Sequence, residues 1–224
     1  MQPMDEDFSF FYHSEGFGPA INTKHVPQES LDKFKGKLPD QLLSYWQQYG
    51  WSGYGQGLFW LVDPDEYAPA LEAWIGDTPL MKKDTFYVIG RSAFGQLFLW
   101  GTNSGQSLKI LSVWGAIFPR DQSDAIAAGR ADELARYFIQ FREKSELDLK
   151  DHLDEPLFDR ALEKLGPLAA DEMYAFEPML AFGAADLKNL RKVKAVAHLV
   201  IMAQLSERKI MPDIVKKSKA TGLL

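Results

Sequence analysis

Apolar residues recur at helical spacing in the first third of the chain. Leu42, Trp46 and Tyr49 lie three or four positions apart, after Pro39-Asp40 and before Gly50. Proline suits a first helical turn, an early carboxylate favours the positive end of the helix dipole, and glycine supplies the left-handed turn at the other end. A helix is predicted there, preceded by a shorter one over 28–35, with Trp46 in the core. The first 27 residues read as irregular, punctuated by Gly16, Gly18, Pro19 and Pro27. Residues 58–62 form a compact apolar run, read as a strand. Asp63-Pro64-Asp65-Glu66 has the form of a capping box. A helix is expected from there to Gly76, burying Tyr67, Leu71 and Trp74.

The pattern then shifts to β-rich runs over 85–89, 94–100 and 108–113, separated by the turn-like GRSA and GTNSGQS. Such short separators favour antiparallel neighbours, hence a meander. Residues 131–143 read as an amphipathic helix with Leu134, Phe138 and Phe141 on one face. Pro156 opens a further helix closed by Gly166-Pro167. Residues 171–183 read as extended. Residues 193–205 have helical spacing, although HLVIM also suits a strand. The expected fold class is α+β: an antiparallel, meander-type sheet flanked by helices, with a smaller α+β C-terminal part. The acidic stretch from Glu146 to Asp159 is the expected junction, dividing the chain into 1–145 and 146–224.

The 224 residues, 46% apolar and 25% charged, suffice for a sizeable core. There is no cysteine, so disulfides and thiolate chemistry are excluded. The acidic start MQPMDEDFSFF does not read as a signal peptide, and no apolar run reaches the roughly 18 residues of a membrane span. A cytoplasmic protein with no membrane contact is expected. The net charge of −6 is uneven: from Asp186 onward nine Lys and Arg face three Asp and Glu, whereas residues 1–185 hold 16 basic against 28 acidic side chains. An acidic body disfavours nucleic acid as the main ligand and favours a basic partner. The basic tail remains able to meet an anion.

Candidate chemistry is sparse. Gly53, Gly55 and Gly57 follow a predicted helix and precede a predicted strand, the reverse of the order a phosphate loop requires. The four histidines are scattered without a metal-binding motif, and no metal or cofactor is expected. Ser206 and Lys209 have the spacing of a Ser-Lys pair, a match short enough to arise by chance. With no catalytic constellation, no enzyme is expected. Two surfaces remain. The segment YWQQYGWSGYGQGLFW sets Trp51 and Tyr54 among glycines, where they either pack inward or stand out as partner-binding anchors. The glycines on both sides make Trp51 and Tyr54 the candidate anchors. The acidic stretch adds Asp148, Asp151, Asp154 and Glu155 as candidate contacts, or as a solvated acidic loop.

Those residues also carry a resemblance. Pro39, Leu42, Trp46, Tyr49-Gly50, Gly57-Leu58, Trp60, Pro64, Glu66-Tyr67, Phe94-Gly95 and Trp100 follow the pattern of a GAD-like domain. Leu165-Gly166, Leu168, Asp171-Glu172, Tyr174, Phe176, Pro178, His198-Leu199 and Gln204-Leu205 resemble the C-terminal domain of Tdi-type immunity proteins. One departure is FGAAD, where Ala184 stands at an expected glycine. The chain is also similar to the broader Smi/Knr-like group of immunity and scaffold proteins, a resemblance that implies an α+β fold with a bent sheet. The resemblance implies an antitoxin whose partner is a cognate DNase toxin delivered by type VI secretion. The alternative is a non-enzymatic interaction or regulatory module that touches nucleic acid through its basic tail.

Overall fold

The computed structural model describes residues 4–180, 183–214 and 216. The end of the expected extended stretch, at 181–182, and the basic tail from Lys217 onward lie outside them.

The N-terminal residues are more ordered than their punctuation predicts. Helix α1 (Glu6–Ser9) runs into a π-helical turn, Phe10–Ser14, and strand β1 (Ile21–Lys24) follows. Asp5 caps α1 through its side chain, accepting from the amides of Asp7 and Phe8. Phe8, Phe11 and Phe17 are fully buried. Elements this short carry no readable periodicity, so only their burial reveals them.

Helices α2 (Gln28–Phe34) and α3 (Asp40–Tyr49) form where expected, and Gly50 ends α3 at φ 69°. Strands β2 (Trp51–Tyr54) and β3 (Phe59–Leu61) then pair antiparallel. Helix α4 (Ala68–Ile75) starts later than the capping-box pattern implies. Asp63 instead accepts from the amide of Asp65 inside a turn, and Pro69 sits in the first turn of the helix.

The expected meander is present as β4 (Phe86–Ser92), β5 (Gln96–Gly101), β6 (Gly105–Leu111) and β7 (Ala116–Pro119), all antiparallel neighbours. Next come α5 (Ser123–Ala127), α6 (Ala131–Gln140), α7 (Lys144–Leu147) and α8 (Phe158–Leu165). Phe141, expected on the buried face, lies beyond the end of α6 and is exposed. A separate hairpin of β8 (Glu172–Phe176) and β9 (Leu190–Lys194) leads into α9 (Ala195–Leu205) and the short β10 (Lys209–Ile210). The HLVIM run is thus helical.

The main sheet has the order β1-β2-β3-β4-β5-β6-β7-β10. Only the last pair is parallel. The fold is α+β, with a mostly antiparallel open sheet flanked by helices. Side chains alternate across a strand, and both faces of the central strands are covered. Phe59 and Phe98 meet Phe138 of α6 on one face. Trp60 and Arg91 point to the other, where the Arg91 guanidinium stacks on the Trp60 ring at 4.8 Å and donates to the carbonyls of Ala170 and Glu172. The C-terminal segment therefore completes the core of the preceding one, and β10 extends its sheet.

Candidate functional site

Glycine and aromatic residues are interleaved over 50–60 because the rings lie on glycine backbones. A β-carbon on Gly53 would come within 2.9 Å of both the Trp60 ring and the Ile21 side chain. One on Gly50 would meet the Lys24 carbonyl oxygen at 2.5 Å. The segment is thus a close-packed strand corner and not an open loop. This corrects the expectation that Trp51 and Tyr54 stand clear of the body: Trp51 is 4% exposed and Tyr54 fully buried. Trp51 packs edge-on against Trp46, and Tyr54 against Phe8 and Phe11. Their rings support the surface from within.

The turn that follows does reach the surface. Gly55, Gln56 and Leu58 line a cleft of about 630 Å³ together with Gly16, Gly18, Trp114 and, from the acidic stretch and its approach, residues 144–145, 148–150, 156 and 158–159. The glycine-rich turn and the acidic stretch, separate in the sequence, thus meet across one cleft. The Gly55 amide donates to the Phe17 carbonyl at 2.6 Å, tying the turn to the cleft's other wall. Trp114, in the turn between β6 and β7, is 60% exposed at the rim. The sequence reading missed it. Its signal is faint: a tryptophan directly after the expected strand 108–113, followed by a glycine.

The acidic stretch is unequal in its parts. Asp148 forms the cleft wall, with one carboxylate oxygen accepting from the amides of Leu149 at 2.7 Å and Phe158 at 2.9 Å. Burial pushes its carboxyl up to about 6, with Asp159 adding to the rise and the amide donors opposing it. Asp151 is turned inward: it accepts from the amides of Leu153 and Glu155 and pairs with Arg160 at 2.7 Å. The Arg160 guanidinium holds it down to about 2. Asp151 is thereby the brace of its own loop, which corrects its reading as a free contact. Asp154 and Glu155 are exposed, and Asp154 pairs with Lys150 at 2.9 Å. Among the described residues no group of three His, Asp or Glu is placed to hold a metal ion. No helix among them is long and apolar enough to cross a membrane.

Comparison with known proteins follows this architecture. Residues 8–114 match the GAD-like domain, and residues 131–206 match the family described as T6SS immunity protein Tdi1, C-terminal. No curated protein matches the chain. The crystal structure of Atu4351 from Agrobacterium tumefaciens is similar in fold, with a TM-score of 0.80 at 21% identity over 92% of this chain and 91% of that one. The chain therefore carries a GAD-like domain followed by a domain of the type VI secretion immunity protein Tdi1 C-terminal family.

Proposed function

We propose that the protein is an immunity protein that binds a type VI secretion DNase effector in the cytoplasm and neutralises it by covering its basic active-site groove. The observation that carries this reading is the Tdi1 C-terminal family domain joined to a GAD-like domain. The charge distribution supports it. A DNase groove is basic because it must hold phosphates. Residues 1–185, with 28 acidic against 16 basic side chains, offer the complementary surface. Such complementarity steers encounter and speeds association. The action is stoichiometric binding and requires no cofactor. The cleft under Trp114, with Asp148 in its wall and Asp154 and Glu155 on the adjoining loop, is the proposed contact face.

The test is co-expression with a type VI secretion DNase effector, beginning with the adjacent gene product, followed by affinity capture and a plasmid-degradation assay. A stable complex with intact plasmid is expected. Uninhibited plasmid cleavage in the presence of excess protein overturns the reading.

A further inference from the structure

Behind Trp114 the cleft continues into a smaller cavity of about 210 Å³, which shares Trp114, Asp148 and Leu149 with the outer space. Among the described residues its ionisable lining consists of Glu146, which already pairs with Arg142 at 4.0 Å, and Asp148. Lys150, in the outer cleft, is engaged by Asp154, and Lys144 lies over the Phe17 ring at 5.6 Å. The cavity also holds two buried polar side chains without a partner. Gln96 is 7% exposed and its Nε2 finds no acceptor; Ser112 is 1% exposed and its Oγ is likewise unpaired. The nearby Ser92 hydroxyl is already used, accepting from the amides of Phe94 and Gln96 at 3.2 Å. Each buried group left unpaired costs about 1–3 kcal/mol. Two of them facing one cavity, beside the Asp148 carboxylate and under an exposed indole, form an incomplete site.

We propose that this cavity receives an arginine side chain of the bound partner, its guanidinium lying against the Trp114 indole and donating to Asp148, Ser112 and Gln96. Arginine fits better than lysine. Its five donors spread in a plane, so several acceptors are met at once while the face stacks on an aromatic ring. Ser112 accepts through its hydroxyl oxygen. A carboxamide presents either end to the cavity, because a half-turn of its last torsion exchanges oxygen for nitrogen. The assignment rests on the partner-binding reading above and deepens it: a phosphate-binding nuclease surface is rich in arginine, and the cavity captures one such residue.

The direct test uses a small probe and the whole protein. N-acetyl-arginine amide is titrated while the Trp114 indole and Gln96 side-chain amide signals are followed by NMR, with the citrulline analogue as a neutral shape control. Saturable shifts at both residues are expected in the wild type, with binding about tenfold weaker for citrulline and for Asp148→Asn and, followed at Gln96 alone, for Trp114→Ala, as the loss of one cation–π or charge-assisted contact implies. Equal binding of citrulline, or no saturable shift at these residues, overturns the proposal and leaves the cavity to water, for which it has ample room at about 30 Å³ per molecule. Co-expression with the effector separates the two readings. If wild type protects the plasmid and a folded Trp114→Ala/Asp148→Asn double variant protects it equally, the arginine pocket is overturned and immunity stands. If wild type fails to bind the effector, the immunity reading falls, and the probe titration still decides the pocket.

Discussion

The indole nitrogen of Trp74 donates to the carbonyl of Leu199 at 3.0 Å, across 125 positions of sequence. Both residues are fully buried, so this bond joins α4 of the GAD-like domain to α9 of the C-terminal domain inside a shared core. Two parts that share a core lose it together. Urea unfolding should therefore show one transition, coincident by tryptophan fluorescence and far-UV circular dichroism. Trp74→Ala should lower stability by about 3–5 kcal/mol, as expected for a buried Trp truncation. Two separated transitions in the wild type would refute the shared core.

Arg91 makes the second connection. It is fully buried, stacks on Trp60 and donates to the carbonyls of Ser92, Ala170 and Glu172. Among the described residues no carboxylate pairs with it directly; backbone carbonyl dipoles and the ring hold the charge. Arg91→Met keeps much of the volume but leaves the carbonyls of 170 and 172 without this donor, at about 1–3 kcal/mol for each group left unpaired. The variant should lose urea stability and expose amides near 170–172 to faster hydrogen exchange than amides in α3. Unchanged exchange at 170–172 would show that the guanidinium does not hold that segment.

How far the sequence foretold these connections depended on the element. Helix α3 and strands β4 to β6 were legible because each has one repeating pattern and clear punctuation. The N-terminal Phe8, Phe11 and Phe17 were not, since a four-residue helix and a π turn set no period. Segment 51–54 was misread because it is buried on both faces, which erases alternation, and because Gly53 serves ring packing and not loop freedom. Trp114 and the partnerless Gln96 and Ser112 become visible only once β5, the turn after β6 and the acidic loop converge. Of the contacts expected from the sequence, Trp51, Tyr54, Asp148, Asp151, Asp154 and Glu155, only Asp148 lines the cleft.

Asp148 and Asp151 should titrate with opposite effects on stability. Burial raises the Asp148 carboxyl to about 6, above its ordinary value of 3.8. Between about pH 4 and 6 the folded state then binds more protons than the unfolded one, so this group's contribution falls as pH rises through that window. Asp151 is held near 2 by Arg160, so its contribution is full above about pH 4 and is lost as pH falls toward 2. Asp148→Asn should remove the first slope and stabilise the protein at pH 7 relative to pH 4. Asp151→Asn should destabilise at pH 7 and have little effect at pH 2. Urea midpoints across pH 2–8 measure both, and like-signed slopes for the two variants would contradict the assignment.

The buried pair on β2 gives the sharpest contrast with an exposed tryptophan. Tyr54 lies among Phe8, Phe11 and Phe59, and Trp51 against Trp46 beneath Lys24, whose ammonium sits 5.5 Å from the ring. Truncating either removes a large ring from a close-packed corner where the glycine backbones have little room to collapse. Trp51→Ala and Tyr54→Ala should each cost about 3–5 kcal/mol, matching Trp46→Ala and Trp60→Ala. Trp114→Ala removes a ring that is 60% exposed and should stay within about 0.5 kcal/mol of wild type, as surface substitutions usually do. Urea midpoints for the five variants decide the matter. If Trp51→Ala and Tyr54→Ala fold as stably as Trp114→Ala, the corner is not core and the rings are free to meet a partner directly. If they fall with Trp46→Ala, any effect they have on partner binding passes through the fold.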